Sequence, residues 1–227
     1  AMDPQQRLFF QEAWGAIEDA GYAPGSWSDS KCGVFVGCVS GDYLQHLREQ
    51  QMPADAYSLT GNASSILAAR LSYFLNLKGP AVAVDTACSS SLVSVHMACE
   101  SLISGTCEVA MAGGVMLYNT PEMFVLASQL GMLSPGGVCK TFDERANGIV
   151  VSEAVGAVVL KPLAAAERDG DTVHAVIRAS GINQDGKTPG ITVPSAYAQT
   201  QLLSDVYARA GIDPRTIGYV ETHGTGT

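Results

Sequence analysis

The chain has 227 residues, with 22 acidic and 13 basic side chains, so its formal net charge at pH 7 is −9. Hydrophobic residues make up 47% of the sequence and charged residues 15%, which excludes a disordered chain, because disorder requires low hydrophobicity. An acidic chain is also a poor nucleic-acid binder, since phosphate contacts need a basic surface. The sequence has no run of about 18 apolar residues and no visible secretion signal, so we expect a cytoplasmic protein without a membrane span.

Hydrophobic periodicity and turn residues predict alternating helices and strands. In chain order these are a helix from residue 4 to Gly21, a strand over 32–38, a helix over 58–77, a strand over 81–84, a helix over 88–104, a strand over 109–115, a helix over 121–130, a strand over 154–160, a helix over 162–168, a strand over 173–182, a helix over 195–210 and a strand over 217–221. Residues 42–54 and 134–145 are predicted to be irregular. The alternation is typical of a layered α/β fold.

Two features concern burial. Glu100 is the only charged residue between positions 88 and 104, and a helix this apolar is predicted to be buried on all sides. Of the six cysteines, none forms a CxxC pair or a Cys/His cluster with zinc spacing, so we predict no metal site. We expect most of the thiols to be buried and free, with Cys88 as the exception.

Cys88 follows the predicted strand over 81–84 and lies at the start of the predicted helix over 88–104. The start of a helix presents free backbone N–H groups and a partial positive charge. These favour a thiolate over a thiol and can stabilise an oxyanion on an acyl group bound to the sulfur. Residues 87 and 89–91 are Ala or Ser and leave room for a substrate chain. The alternative is a structural cysteine beside an Asp-Thr helix cap.

His223 is the second candidate, because it follows the predicted strand over 217–221 in a loop of Gly and Thr residues. An imidazole in such a loop is free of helical packing and can point into a cleft. The alternative is a hydrogen-bonded structural histidine. His46, His96 and His174 lie in a polar segment, in the helix of Cys88 and at the start of a strand, and have weaker claims.

Four motifs occur in this order: DTACSSSL at 85–92, MLSPGGVCKTFD at 132–143, GINQDGKT at 181–188 and VETHGTGT at 220–227. Together they resemble the β-ketoacyl synthases, specifically the ketosynthase domains of modular polyketide synthases. The resemblance covers essentially the whole chain. The stretches at 61–80 and 181–192 are similar to the branch whose modules receive extender units from a separate acyltransferase.

The resemblance implies a thiolase-like fold of αβαβα layers that works as a homodimer. Residues 1–227 would be an internal segment of this domain, truncated at both ends, with most of the N-terminal half and the start of the C-terminal half. A second catalytic histidine and a lysine would lie beyond Thr227. We therefore expect the 227 residues by themselves to be inactive.

The resemblance also implies the chemistry. Cys88 matches the nucleophile that accepts an acyl chain from the phosphopantetheine arm of an acyl carrier protein. A malonyl-type unit then loses CO2 and condenses with that chain, and His223 matches a histidine that stabilises charge on the malonyl thioester oxygen. Thr225 and Thr227 would shape the loop and the pantetheine channel. No cofactor would be bound tightly, the other partners would be further polyketide synthase domains, and the setting would be antibiotic biosynthesis.

Residues 142–154 match the pattern of the resembled family only in part. Phe142 and Asp143 match a loop near the pocket without an assigned role. Asn147 replaces the aspartate of the usual Asp-Gly-aromatic run. Ser152 and Ala154 replace the glycines on either side of Glu153, which exchanges backbone freedom for small side chains.

Three alternatives to an elongating ketosynthase can be distinguished. A non-elongating ketosynthase would keep the cysteine, lose the later histidine, and only transfer or hold the acyl chain. A thiolase acting on coenzyme A esters is disfavoured, because DTACSSSL with HGTGT is typical of the carrier-protein branch. A serine hydrolase is disfavoured more strongly, because the sequence has no GxSxG motif.

Overall fold

A central four-stranded sheet organises the first part of the chain, in a computed structural model that describes residues 2–227. Its strands are β1 (Cys32–Gly37), β2 (Ala81–Val84), β3 (Val109–Met116) and β4 (Ala154–Leu160), in the order β2-β1-β3-β4. β1 runs parallel to β2 and β3, and β4 runs antiparallel to β3. The carboxyl ends of β1, β2 and β3 therefore lie at the same end of the sheet, and we call it the carboxyl end.

Helices connect and follow the strands along the chain. They are α1 (Pro4–Asp19), α2 (Tyr43–Glu49), α3 (Ser58–Asn62), α4 (Ser64–Leu75), α5 (Ser90–Ile103), α6 (Glu122–Gln129), α7 (Leu163–Asp169) and α8 (Ala196–Ala210). α1 begins where the Asp3 side chain accepts a hydrogen bond from the Gln5 amide, with Pro4 in the first turn. This arrangement matches the preferences of helix starts for a capping aspartate and an early proline.

The sheet is covered on both faces, as expected for parallel strands built from apolar runs. Every residue of β1 is buried. Val34 and Val36 point to the core formed with α1 and α4, whereas Phe35 points to the core that contains Ala98 of α5. The alternation of side chains along a strand thus assigns α1 and α4 to one face and α5 to the other.

The start of α5 lies directly on the sheet. Gly37 of β1 and Gly114 of β3 are register partners. A Cβ atom at Gly37 would lie 2.4 Å from the carbonyl carbon of Ser90, and one at Gly114 would lie 2.8 Å from the Cβ of Ser91. Ser94 Oγ donates to the carbonyl of Gly113 at 2.8 Å and fastens the next turn. Small residues in the strands therefore set where α5 begins.

Residues 163–221 form a second compact unit, distinct from the unit of residues 1–162 and 222–227. Within it, α8 begins at the capping side chain of Ser195 and ends at Gly211, which has a left-handed backbone with φ 62°. Asn183 Nδ2 donates to the carbonyl of Ala198 at 2.7 Å. Leu202 and Val206 of α8 lie against Gly181, so the segment before α8 packs on this helix.

Two predicted strands are wrong. Residues 173–182 and 217–221 belong to no strand in the part of the chain that the structure describes. Their apolar alternation satisfies the side-chain pattern of a strand, but a strand also needs a neighbour whose N–H and C=O groups complete its ladder. Neither segment has such a neighbour among residues 2–227.

Several predicted helices need correction. The polar segment 42–54 contains α2, and the single helix predicted over 58–77 is divided at Ala63, whose backbone is extended. The helix of Cys88 starts only at Ser90, and it is not buried on all sides, because Leu92 is 74% exposed. An apolar sequence allows a helix to be buried on all sides but does not ensure it. In this chain α5 buries only the face that lies on the sheet.

None of the helices in residues 2–227 has both the length and the apolar character needed to cross a membrane.

We predict that Gly37→Ala destabilises the chain by about 1–3 kcal/mol, because the added methyl group meets the backbone of α5 and forces it to move. Gly15→Ala is the matched control, since a Cβ atom there meets nothing within 4 Å and a helix interior favours alanine over glycine by up to about 1 kcal/mol. Urea unfolding followed by tryptophan fluorescence measures both. Equal stabilities of the two variants would contradict the close approach of α5.

Candidate functional site

A tight turn between β2 and α5 presents Cys88. Ala87, the residue before it, has a positive φ of 54°, which is uncommon for a residue with a side chain. The Ala87 amide donates to Asp85 Oδ1 at 3.0 Å. Ser90 Oγ accepts from the Thr86 amide at 2.8 Å and donates to the Ala87 carbonyl at 2.6 Å. These bonds hold a strained backbone in place, as is common at functional sites.

The Cys88 thiol is free and exposed. It precedes α5 by two residues, instead of lying in the first turn as the sequence predicts. The Ser90 amide already donates to the Ala87 carbonyl at 3.1 Å, so this amide is not free to bind an oxyanion. The small side chains at 87 and 89–91 nevertheless leave the sulfur open to an incoming chain.

The loop that contains His223 is fixed by the segment 139–148. Thr141 Oγ1 donates to the Gly224 carbonyl, and the Gly148 amide donates to the Gly226 carbonyl at 3.1 Å. Gly224 and Gly226 both have positive φ values, 56° and 76°, which side chains rarely adopt. Residues 222–227 belong to the same compact unit as Cys88. The two glycines of this motif therefore give the histidine loop its shape.

The supporting residues have specific contacts. The hydroxyl groups of Thr225 and Thr227 are 2.8 Å apart and hydrogen bond to each other. Phe142 is 86% exposed and has a positive φ of 61°. The Asp143 carboxylate accepts two bonds from the Arg145 guanidinium, and together with the Arg145 amide these lower the pKa of Asp143 to about 2. Asp143 is thus engaged by Arg145.

The remaining thiols divide by burial. Burial raises the pKa of Cys32 to about 12. Burial, with the charges of Asp85 and Asp3, raises the pKa of Cys38 to about 11. Cys107 is also buried, but Cys99 is half-buried and Cys139 is exposed. The prediction that most thiols are buried and free is therefore correct for three of the five, and the structure adds Cys139 as a second accessible thiol.

Sequence analysis missed a group of residues around the connection between β3 and α6. We call residues 117–120 the β3–α6 connection. Its four backbone amides donate to side chains from distant parts of the chain: Leu117 to Gln5 Oε1 at 3.3 Å, Tyr118 to Glu153 Oε1 at 2.7 Å, Asn119 to Asp42 Oδ1 at 3.0 Å and Thr120 to Asp42 Oδ2 at 2.8 Å. No local motif reveals these contacts, because each acceptor is at least 35 residues away.

Partial burial acts to raise the pKa of Asp42, but the hydrogen bonds from Asn119 and Thr120 outweigh it and lower that pKa. Asp42 therefore stays ionised and keeps its acceptors available.

No group of three or more His, Cys, Asp or Glu side chains in residues 2–227 could hold a metal ion.

Two family models match the chain. The model described as "Beta-ketoacyl synthase, N-terminal domain" matches residues 1–166, and the model described as "Beta-ketoacyl synthase, C-terminal domain" matches residues 174–227. Among curated proteins, the chain is 52% identical over 226 residues to polyketide synthase PksL of Bacillus subtilis. It is 50% identical over 227 residues to the highly reducing polyketide synthase dmxL2 of a Cryptosporiopsis species. Each match covers 100% of this chain, but the chain spans only 5% and 9% of these relatives.

Solved structures agree with the fold. The ketosynthase from module 6 of the bacillaene synthase of Bacillus subtilis 168 superposes with a TM-score of 0.91 at 51% identity. The oxazolomycin ketosynthase domain OzmH KS7 of Streptomyces albus JA3453 superposes with a TM-score of 0.92 at 41% identity. Both comparisons cover 100% of this chain and 39% of the solved chain. They confirm the predicted α/β fold of thiolase-like type.

We predict that iodoacetamide at pH 8 modifies Cys88 and Cys139 while Cys32 and Cys38 remain unmodified. The thiolate is the reactive form, and a pKa of about 11 or 12 leaves roughly one buried thiol in a thousand or fewer ionised at this pH. Peptide mapping by mass spectrometry measures the four sites separately. Modification of Cys38 at the rate of Cys88 would contradict the burial of this thiol.

Proposed function

Because the chain belongs to the β-ketoacyl synthase family, we propose that it provides the nucleophile and one catalytic histidine of a ketosynthase domain in a polyketide synthase. The reaction is a decarboxylative Claisen condensation. An acyl chain bound to Cys88 is joined to a malonyl-type unit held on an acyl carrier protein.

The observation on which this proposal rests is the exposed Cys88 thiol on a strained turn between a strand and a helix. The Cys88 thiolate attacks the carbonyl carbon of the incoming thioester, and a new C–S bond forms. The phosphopantetheine thiolate leaves and takes up a proton. This nucleophilic step divides the transfer into two easier reactions.

His223 acts in the second step. The malonyl-type unit loses CO2, and negative charge develops on its thioester oxygen as the enolate forms. A hydrogen-bond donor fixed beforehand stabilises such charge without reorganising, and the bonds from Thr141 and Gly148 fix this loop. The enolate carbon then attacks the acyl carbonyl, the C–S bond to Cys88 breaks, and the thiolate is regenerated.

The supporting residues act through geometry. The bond between Thr225 and Thr227 stiffens the end of the histidine loop, and we assign these two residues to the wall of the pantetheine channel. Phe142 and Asp143 have no direct role in this mechanism. The substrates arrive on carrier protein, so the mechanism needs no tightly bound cofactor.

We further propose that residues 1–227 are an internal segment of a longer domain, inactive alone, which works as a homodimer with an acyl carrier protein and other polyketide synthase domains. β2 lies at an edge of the sheet and has an open side, and Leu92 and Ile103 of α5 are 74% and 79% exposed. Edges and apolar surfaces of this kind are normally covered. Supply of extender units by a separate acyltransferase and cytoplasmic location remain predictions.

We predict that Cys88→Ala, in the full-length ketosynthase polypeptide, abolishes covalent loading by an acyl thioester, because no other residue supplies the nucleophile. Cys139→Ala is the matched control, since it removes the other exposed thiol and should load like the wild type. Intact-protein mass spectrometry measures loading. Equal loading of wild type and Cys88→Ala would refute the proposal.

We predict that His223→Ala loads normally but condenses more slowly by about a hundredfold or more, the usual cost of removing an oxyanion donor. Product formation from malonyl carrier protein is measured by mass spectrometry alongside loading. A wild-type enzyme that loads but never condenses would instead support the non-elongating alternative.

A further inference from the structure

The β3–α6 connection and the turn of Cys88 lie at the same end of the sheet. β3 lies next to β1 and ends at Met116, at the carboxyl end of the sheet. β2 ends at this same end, just before the turn of Cys88. Tyr118, in the middle of the connection, is partly buried, and its ring packs edge-on against Phe124 with 5.2 Å between the centroids. Tyr118 is therefore an aromatic side chain at the end of the sheet where Cys88 lies.

The Tyr118 phenol remains neutral at this place. Burial raises its pKa, and the negative charges of a Cys88 thiolate and of Glu153 raise it further. A neutral phenol is a hydrogen-bond donor, whereas a phenolate would repel a thiolate.

Glu153 controls the place of Tyr118. It directly precedes β4, and the pairing of Met116 with Ala154 brings it next to the start of the connection. From there, its Oε1 accepts the Tyr118 amide at 2.7 Å. This bond joins the start of β4 to the middle of the connection.

The flanking amides do not depend on Glu153. Gln5 is buried, with 3% exposure, and accepts the Leu117 amide. Asp42 accepts the amides of Asn119 and Thr120, together with both of their side chains. We therefore expect the loss of the bond to Glu153 to loosen Tyr118 and to leave the rest of the connection in place.

We propose that Glu153 is a positioning residue which fixes Tyr118 beside Cys88, and that Tyr118 thereby selects acyl chains by the substituents on the carbons nearest the thioester. This inference rests on the ketosynthase function proposed above. A ring and a donor held close to the sulfur meet the first carbons of the bound chain. Branches there compete with the ring for space, and oxygen atoms there can accept the phenol proton.

The test measures loading of the full-length ketosynthase with three synthetic thioesters: butanoyl, 2-methylbutanoyl and 3-hydroxybutanoyl. Glu153→Leu removes the acceptor, whereas Glu153→Gln keeps Oε1 and removes only the charge. Tyr118→Ala removes the ring, and Tyr118→Phe removes only the hydroxyl group. For each variant, the maximal rate constant of loading and the thioester concentration that gives half of it are measured separately, and their quotient is the loading efficiency. The rate of Cys88 alkylation by iodoacetamide reports the intrinsic reactivity of the thiol.

We expect Tyr118→Ala and Glu153→Leu to change the relative loading efficiency, which is the efficiency for 2-methylbutanoyl divided by that for butanoyl. Both variants should change it in the same direction, by about fivefold or more. Glu153→Gln should stay within about twofold of the wild type, and no variant should change the alkylation rate by more than about twofold. Tyr118→Phe should lower the preference for 3-hydroxybutanoyl and leave the branched ratio unchanged.

Other outcomes overturn the proposal. If Glu153→Leu leaves the ratio unchanged, or if Glu153→Gln behaves like Glu153→Leu, the carboxylate does not act as a positioning acceptor. If Glu153→Leu does not fold, an unchanged ratio in Tyr118→Ala still refutes it. A wild-type enzyme that loads none of the three thioesters refutes the ketosynthase function itself, which is a different result from loading without selectivity.

Discussion

The contact between the start of α5 and the backbone of the sheet determines where the site can form. Gly37 and Gly114 lie side by side and leave no space for a methyl group beneath Ser90 and Ser91. Residues 85–89 connect the end of β2 to the start of α5. The chain between them must turn sharply, and the positive φ of Ala87 is the result. Cys88 lies in this turn, and its thiol is exposed.

Polar side chains complete what the glycines begin. The Cys88 turn is held by Asp85 and Ser90, and the neighbouring β3–α6 connection is held by Gln5, Asp42 and Glu153. A buried or strained backbone persists only when its donors and acceptors are satisfied. The departures at Ser152 and Ala154 leave this network intact, because Glu153 between them still reaches the Tyr118 amide.

The sequence was sufficient to predict the elements that a local residue pattern marks. The four strands of the sheet and the turn at Cys88 were predicted close to their observed bounds, because apolar runs and flanking glycines mark them. The segment 173–182 was wrong because a strand depends on a neighbour, which alternation does not reveal. The break of the 58–77 helix at Ala63 was missed because no proline marks it, and Gly61, two residues earlier, was not taken as a helix end. The role of Glu153 was missed because its partner Tyr118 is 35 residues away.

The acceptors of the β3–α6 connection also have a consequence for how the protein is made. Gln5 leaves the ribosome 112 residues before its partner Leu117, and Asp42 precedes its partners by 77 or 78 residues. Glu153 is the last of these three acceptors to be synthesised. Contacts this distant in sequence form late, because the entropy of closing the loops must be overcome first. During translation, β1, β2 and β3 are therefore all synthesised before Glu153 is available to hold the Tyr118 amide.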